Sequence, residues 1–94
     1  MDIDTPEAKF KLGRLVITRA AMETLSQDDV LKALVRHARG DWGSLHGSDW
    51  KQNDDAVENG DRILSQYQAQ DGTRFCLITE CDRSATTILL PEDY

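Results

Sequence analysis

Cysteine and proline are scarce in this sequence, since each occurs only twice in 94 residues. The two cysteines, Cys76 and Cys81, belong to one strand-like segment, in which residues five positions apart lie about 16 Å from each other. A disulfide requires Cα atoms within about 7 Å of each other, so we expect two reduced thiols. Because the cytosol keeps thiols reduced, this cysteine usage predicts a cytoplasmic protein.

Long apolar runs are also missing. No apolar stretch approaches the roughly 18 residues that a membrane span needs. The segment from Met1 to Glu7 is acidic and polar, whereas a signal peptide has a basic start and an apolar core. The sequence therefore predicts no membrane segment. We expect residues 1–9 to form a flexible lead-in and residues 10–94 to fold as a single domain.

Basic residues are outnumbered, with 11 Lys and Arg against 17 Asp and Glu, which gives a net charge of −6. Lys and Arg drive binding to phosphate, so we do not expect direct nonspecific binding to nucleic acid. An acidic chain is instead suited to a basic protein surface, including a surface that normally holds nucleic acid. The charge therefore favours a protein partner.

Sequence patterns typical of metal sites, phosphate-binding loops or catalytic nucleophiles are weak in this chain. Four groups have the chemistry to bind zinc, but their spacing matches no zinc pattern: His37, His46, Cys76 and Cys81. The glycines do not form a phosphate-binding loop, and Ser84 lacks a Gly-x-Ser-x-Gly context. We therefore expect no metal, no cofactor and no catalytic residue.

The strongest structural signal lies in the C-terminal third. Three strand-like runs follow one another there, and Asp71-Gly72 between the first two is a strong hairpin signal. The last two runs are rich in β-branched residues. This part of the chain therefore predicts an antiparallel meander with strands over Arg62–Gln68, Arg74–Glu80 and Thr86–Leu90.

The first part of the chain predicts one strand, Phe10–Thr18, and then three helices. Thr18, Ser26 and Ser48 are the expected N-caps, and Gly40 is the expected end of the second helix. The third helix, expected over Asp49–Asn59, is mostly polar. The whole pattern predicts an α+β fold in the order β-α-α-α-β-β-β, with an antiparallel sheet of about four strands and helices packed on one face. We expect the first strand to join the meander.

An acidic run along the third helix is the most prominent surface feature. Only Lys51 and Arg62 oppose it, and its members are Asp49, Asp54, Asp55, Glu58 and Asp61. Such a run is commonly a solvated helix face. Its alternative interpretation is a surface that imitates the phosphates of nucleic acid and docks on a basic protein groove.

Two further segments are candidates for contact with a partner. Asp41 and Trp42 lie in a glycine-rich loop, where Trp42 either meets a partner or folds back into a core that a chain of this size needs. Asp82 and Arg83 lie in a turn between two strands, which is either an ordinary turn or a hairpin tip that meets a partner. Each segment therefore has a structural interpretation and a partner-binding interpretation.

A combination of short motifs is distributed along the chain: Arg36-His37, Gly40-Asp41-Trp42-Gly43, Leu64, Ser65, Tyr67, Asp71-Gly72-Thr73, Ile78-Thr79-Glu80, Asp82-Arg83-Ser84, Thr86-Thr87 and Leu89-Leu90-Pro91-Glu92-Asp93-Tyr94. In this combination the chain resembles a family of short bacterial proteins labelled "plasmid-related protein". The resemblance covers nearly the whole chain from Phe10 and implies an intracellular protein carried by plasmids, phages or integrated elements, with no particular activity. The family often has an aromatic residue in place of Cys76 and an alanine in place of Cys81, which argues against a cysteine-based mechanism.

Together these observations favour a non-enzymatic accessory protein of a mobile element. We expect it to bind another protein and to inhibit a host defence complex of the CRISPR or restriction type. One alternative is a small toxin-like nuclease with His37 as general base and Arg36 or Arg83 stabilising charge on phosphate. A second alternative is a structural partner in plasmid maintenance, with a possible homodimer.

Overall fold

The structure, a computed structural model, describes residues 7–94. It confirms the α+β class and the element order β-α-α-α-β-β-β. The first six residues of the expected lead-in lie outside the described residues, whereas the backbone N–H of Lys9 donates to the carbonyl of Ala38 at 2.7 Å. The elements are β1 (Arg14–Ile17), α1 (Arg19–Thr24), α2 (Gln27–Ala38), α3 (Gly47–Asn59), β2 (Ile63–Gln68), β3 (Arg74–Thr79), β4 (Ala85–Leu89) and a short 3-10 turn (Pro91–Asp93).

The four strands form one sheet in the order β1-β4-β3-β2. The meander is antiparallel as expected, with Leu64 opposite Ile78 and Leu77 opposite Ile88. However, β1 runs parallel to β4, so the sheet is mixed and the expectation of an antiparallel sheet is wrong at this pair. A parallel pair is joined by a long crossover instead of a hairpin turn, so no local sequence signal marks its direction.

β1 is shorter than the strand expected over Phe10–Thr18. Gly13 has φ +68°, and a Cβ at this position would overlap the backbone of Arg83 and Ser84. The chain therefore bends at Gly13, and the strand begins only at Arg14. The apolar residues before the bend still belong to the core region, because Leu12 is buried in the core and Phe10 packs against that core.

The helix ends follow from capping, with one exception. Thr18 Oγ1 accepts from the Ala21 N–H at 3.2 Å, and Ser26 Oγ accepts from the Asp29 N–H at 3.1 Å, as expected. Gly40 follows α2 with φ +84°. The cap expected at Ser48 is wrong, because α3 has its N-cap at His46 and Ser48 already lies inside the first turn.

The main core lies between the helices and one face of the sheet. Along β2, side chains alternate between this face and the other, so Ser65 is buried while Gln66 is exposed. The principal core residues are Leu12, Ala21, Leu34, Ala38, Tyr67, Phe75, Leu77 and Ile88. A smaller cluster of Cys76, Ile78 and Leu89 lies apart from this core, and the C-terminal 3-10 turn contacts β3.

Candidate binding surface

The five candidate carboxylates of the acidic run all belong to exposed residues. α3 is held to the fold by Asn53 and Ala56, which are buried, and by Trp50 and Val57, which are half-buried. Among residues 7–94, the only ion pair in the run joins Lys51 Nζ to Asp55 at 3.3 Å. We call Asp49, Asp54, Asp55, Glu58 and Asp61 the acidic surface.

Trp42 belongs to the core and is not part of the surface, because its side chain is 0% exposed. Its indole Nε1 donates to Asp54 Oδ1 at 2.9 Å. Trp42 also packs in a cluster with Ala56 and Ile63. The structure therefore favours the core interpretation of Trp42, and it gives Asp54 a second role as the acceptor that fixes the indole.

Asp41 lies beside Trp42 and is half-buried, but a cation neutralises it. Arg36 Nε donates to Asp41 Oδ2 at 2.8 Å, and the second terminal nitrogen of the guanidinium donates to Oδ1 at 3.2 Å. The Gly43 N–H also donates to Oδ1, at 3.1 Å. The hydrogen bond from Arg36 is the main reason that the pKa of Asp41 is lowered. Asp41 is therefore ionised, yet it adds little to the net negative field.

Arg83 supports the backbone at the end of α3. Its guanidinium donates to the carbonyl oxygens of Asp61 at 2.6 Å, Ala56 at 2.9 Å and Glu80 at 3.2 Å. Of these three carbonyls only that of Ala56 belongs to α3, where it also accepts from the Gly60 N–H at 3.0 Å. A cation near the C-terminal end of a helix interacts favourably with the helix dipole. Its neighbour Asp82 is exposed, and hydrogen bonds from Ser84 lower the pKa of Asp82.

The three candidate segments, which are far apart in sequence, meet at α3. The loop of Asp41 and Trp42 reaches the middle of α3 through Asp54. The turn of Asp82 and Arg83 reaches its end through Ala56. Of the predicted residues, Trp42 and Arg83 hold this arrangement together, while the acidic surface and Asp82 are open to solvent.

His37, the candidate base of a nuclease, is 0% exposed and belongs to a chain of buried hydrogen bonds. The chain ends at the carbonyl of Leu12, which accepts from Thr86 Oγ1 at 2.7 Å. Thr86 therefore accepts from Thr79 at 2.7 Å, and Thr79 in turn accepts from His37 Nε2 at 2.8 Å. His37 Nδ1 is left as the acceptor for the Ser65 hydroxyl. This order places a proton on Nε2, and a neutral imidazole then accepts at Nδ1.

Burial favours the neutral form of the His37 imidazole. Desolvation, with a smaller contribution from the positive charge of Arg83, lowers the pKa of His37 from 6.5 to about 3. The ring is enclosed by Phe10 and Trp42, whose centroids lie 5.2 and 5.7 Å from its own. His37 is therefore a core residue that does not reach solvent.

The other groups considered for metal or thiol chemistry are dispersed. Cys76 is buried, which raises the pKa of its thiol, and Cys81 is exposed. His46 is exposed at the start of α3, where it lines a groove of about 450 Å³ with Gln66 and Arg74. Within residues 7–94, no three His, Cys, Asp or Glu side chains are grouped to hold a metal ion.

Sequence reasoning missed Asn53, which joins α3 to β2. Its side-chain amide donates to the Leu64 carbonyl, and its Oδ1 accepts from the Leu64 N–H at 3.3 Å. The available signal was the spacing of Asn53 three residues after Trp50 and three before Ala56, which places an amide on the apolar side of a polar helix.

Comparisons of the chain with protein-family models, with curated proteins and with solved structures gave no match. None of the helices within residues 7–94 has the length and apolar character that crossing a membrane requires.

Proposed function

We propose that this protein acts by binding another protein through the acidic surface on α3. The proposed partner is a host defence complex with a basic groove for nucleic acid, of the CRISPR or restriction type. On this proposal the protein is a cytoplasmic accessory factor of a mobile element, in line with its resemblance to the plasmid-related family. Bound in that groove, it excludes the nucleic acid and inhibits the complex.

The observation that carries the proposal is the accumulation of exposed carboxylates with few cations beside them. Asp54, Asp55 and Glu58 lie within two turns of α3, and Asp61 follows the helix end. Lys51 pairs with Asp55, so most of the negative charge is left for an outside partner. A concentrated field of one sign speeds association with a surface of the opposite sign and selects for it.

The nuclease alternative is not favoured by the position of its base. A general base must reach the proton that it abstracts, either directly or through one water molecule. His37 is 0% exposed, and both of its ring nitrogens are engaged by Ser65 and Thr79. Arg83 likewise holds three backbone carbonyls. We therefore do not propose nuclease activity.

The proposal is tested by affinity capture with a variant that lacks part of the acidic surface. The variant Asp49→Asn/Asp55→Asn/Glu58→Gln removes three negative charges at nearly constant side-chain volume. Asp54 is left in place because it accepts from Trp42. The control variant Glu23→Gln/Asp28→Asn/Glu92→Gln removes the same charge from exposed residues outside α3. Each tagged protein is incubated with a lysate of a bacterium that carries such defence complexes.

We expect the wild-type protein and the control variant to retain a nucleic-acid-binding complex, and the α3 variant to lose at least about tenfold in its affinity for that complex. Two or three lost charge contacts of about 1 kcal/mol each give a change of this size. Equal retention by all three proteins would show that the acidic surface does not bind the partner.

A further inference from the structure

The two edge strands of the sheet differ in whether other parts of the chain cover them. At the β2 edge, the Gln66 N–H donates to the Trp42 carbonyl at 3.3 Å, and the Gln66 carbonyl accepts from Ser44 at 2.7 Å. Asn53 occupies both backbone groups of Leu64. This edge is therefore covered by other parts of the same chain, which is a common protection against pairing with another strand.

The β1 edge is open. On the side that faces β4, the Arg14 N–H donates to the carbonyl of Ser84, just before β4, at 2.9 Å, and the Thr18 N–H donates to the Ile88 carbonyl at 3.0 Å. Alternate residues of an edge strand turn their backbone groups away from its neighbour, so those of Leu15 and Ile17 point outward. Within residues 7–94, these outward groups meet no backbone partner beyond the sheet.

An apolar groove of about 410 Å³ lies beside this edge, between β1, α1 and α2. It is lined by Leu15, Ile17, Met22, Leu31 and others. Leu15 is 43% exposed and Met22 is 61% exposed, and they are two of the three most exposed large apolar side chains in the described part of the chain. An open strand edge with apolar side chains next to it is the usual site for addition of another strand.

We propose that a second copy of this chain pairs with β1, antiparallel and edge to edge, to form a symmetric dimer with a continuous eight-stranded sheet. The outward groups fix the register, because Leu15 of one copy must face Ile17 of the other for both to exchange backbone hydrogen bonds. Val16 then lies on the two-fold axis. The side chains of Leu15 and Ile17 lie on the same face of the sheet as the core residue Ile88. The pairing therefore brings the apolar side chains of both copies together on that face.

Charge complementarity favours a second copy over an unrelated peptide. The same register places Arg14 of each copy opposite Thr18 of the other, on the sheet face away from the helices. Thr18 Oγ1 donates to Asp93 Oδ2 at 2.7 Å, so a carboxylate stands at the position that Arg14 approaches. Arg14 is exposed and has no carboxylate partner within residues 7–94. The β1 edge thus has the cation of Arg14 at one end and, next to Thr18 at the other end, the carboxylate of Asp93 from the 3-10 turn. Opposite charges at the two ends make this edge self-complementary in a symmetric interface.

The dimer is separate from the proposed function, because α3 contacts β2 at the opposite side of the sheet from β1. Pairing through β1 would leave both acidic surfaces free. A protein that does not dimerise would therefore leave the binding proposal unaffected. Likewise, a protein that captures no partner would leave the dimer proposal unaffected.

The dimer is tested by sedimentation equilibrium of the purified chain from about 1 µM to about 1 mM. We expect the mass to rise from 10.6 kDa to twice that value. Backbone amide hydrogen exchange at Leu15 and Ile17 should slow as the dimer forms. A mass of one chain at every concentration would overturn the proposal, and so would a dimer in which these two amides exchange as fast as in the monomer.

Two variants test the register. Arg14→Asp places like charges beside Asp93 of the other copy, and Leu15→Lys introduces a charge at the apolar edge. We expect each to weaken dimerisation at least about tenfold. Arg74→Asp makes the same charge change at an exposed residue of β3 and should leave the dimer intact. Circular dichroism establishes that each variant is folded. A folded Arg14→Asp protein that dimerises as well as Arg74→Asp would overturn the proposed pairing.

Discussion

At the scale of single residues, buried hydrogen bonds account for His37, which the sequence left open only as the base of an alternative nuclease function. Its partners lie 28 and 42 positions away, at Ser65 and Thr79. The sequence showed a histidine near the end of a helix, and it showed threonines in predicted strands. It carried no signal that these polar groups meet in the core, because side-chain contacts over such separations depend on the packing of whole elements.

The first prediction concerns the pH dependence of stability. Unfolded His37 binds a proton as the pH falls below 6.5, whereas folded His37 does so only near 3. Between these values the unfolded state binds more protons, so the free energy of unfolding falls by about 1.4 kcal/mol per pH unit as the pH is lowered. His37→Gln keeps a donor and an acceptor but removes this titration. Urea unfolding of both proteins from pH 7 to pH 4 measures the difference in slope.

The wild-type protein should lose more stability than His37→Gln over this range, because carboxylates contribute equally to both proteins. Parallel stability curves for the two proteins would mean that His37 titrates in the folded state much as it does in the unfolded chain.

The second prediction concerns Arg83, which has φ +61° and whose guanidinium holds three carbonyls. Arg83→Ala and Arg83→Gly both lose these hydrogen bonds, so both should be less stable than the wild type by about 1–3 kcal/mol. Only Ala retains the cost of a left-handed backbone, so Arg83→Gly should be the more stable of the two by about 1 kcal/mol. Thermal unfolding of the three proteins measures this order, and an Ala variant as stable as the Gly variant would contradict it.

At the scale of elements, patterning and turn chemistry predicted most of the fold. The Ser26 cap, the Gly40 end of α2 and the Asp71-Gly72 hairpin all follow from local preferences that the structure confirms. The direction of β1 did not follow, because its pairing with β4 spans most of the chain. The beginning of α3 was also misplaced, since its N-cap makes no side-chain hydrogen bond.

The third prediction tests the cover over the β2 edge. A Cβ at Gly43 would overlap the Gln66 carbonyl oxygen, and the φ of this glycine is +72°. Gly60 has a similar φ of +73°, but a Cβ there meets nothing within 4 Å. Gly60→Ala should therefore cost only the backbone term of about 1–2 kcal/mol. Gly43→Ala should cost at least about 2 kcal/mol more, because the loop must leave β2.

Chemical denaturation of the two glycine variants provides the comparison. Equal losses of stability would show that the contact between Gly43 and β2 contributes nothing beyond backbone strain.

At the scale of the whole molecule, the net charge of −6 is unevenly placed. Arg36 neutralises Asp41, while the acidic surface retains most of its charge. The sequence predicted these carboxylates as a run, and the structure shows that they are exposed. It also explains the other candidates in that region, since Trp42 and Arg83 position α3. The distinction between exposed and supporting residues required the fold, because the contacts of Trp42 and Arg83 with α3 join positions that are 12 and 27 residues apart.

A fourth prediction follows for binding of the partner as a function of salt. Exposed charge contacts are screened by ions, so the affinity of the wild-type protein should fall steadily between about 0.05 and about 0.5 M salt. The variant Asp49→Asn/Asp55→Asn/Glu58→Gln should show a shallower dependence than the control variant Glu23→Gln/Asp28→Asn/Glu92→Gln. Titration of the purified partner at several salt concentrations measures the slopes, and identical slopes would contradict a contact through α3.

In the proposed function, the acidic surface occupies a groove that otherwise holds nucleic acid. Competition measures this most directly, with fluorescent double-stranded DNA bound to the purified partner and displaced by increasing amounts of the wild-type protein. We predict complete displacement by the wild type and by the control variant, and at least about tenfold weaker displacement by the α3 variant. A ternary complex in which the partner holds DNA and this protein together, with unchanged affinity for each, would contradict binding in that groove.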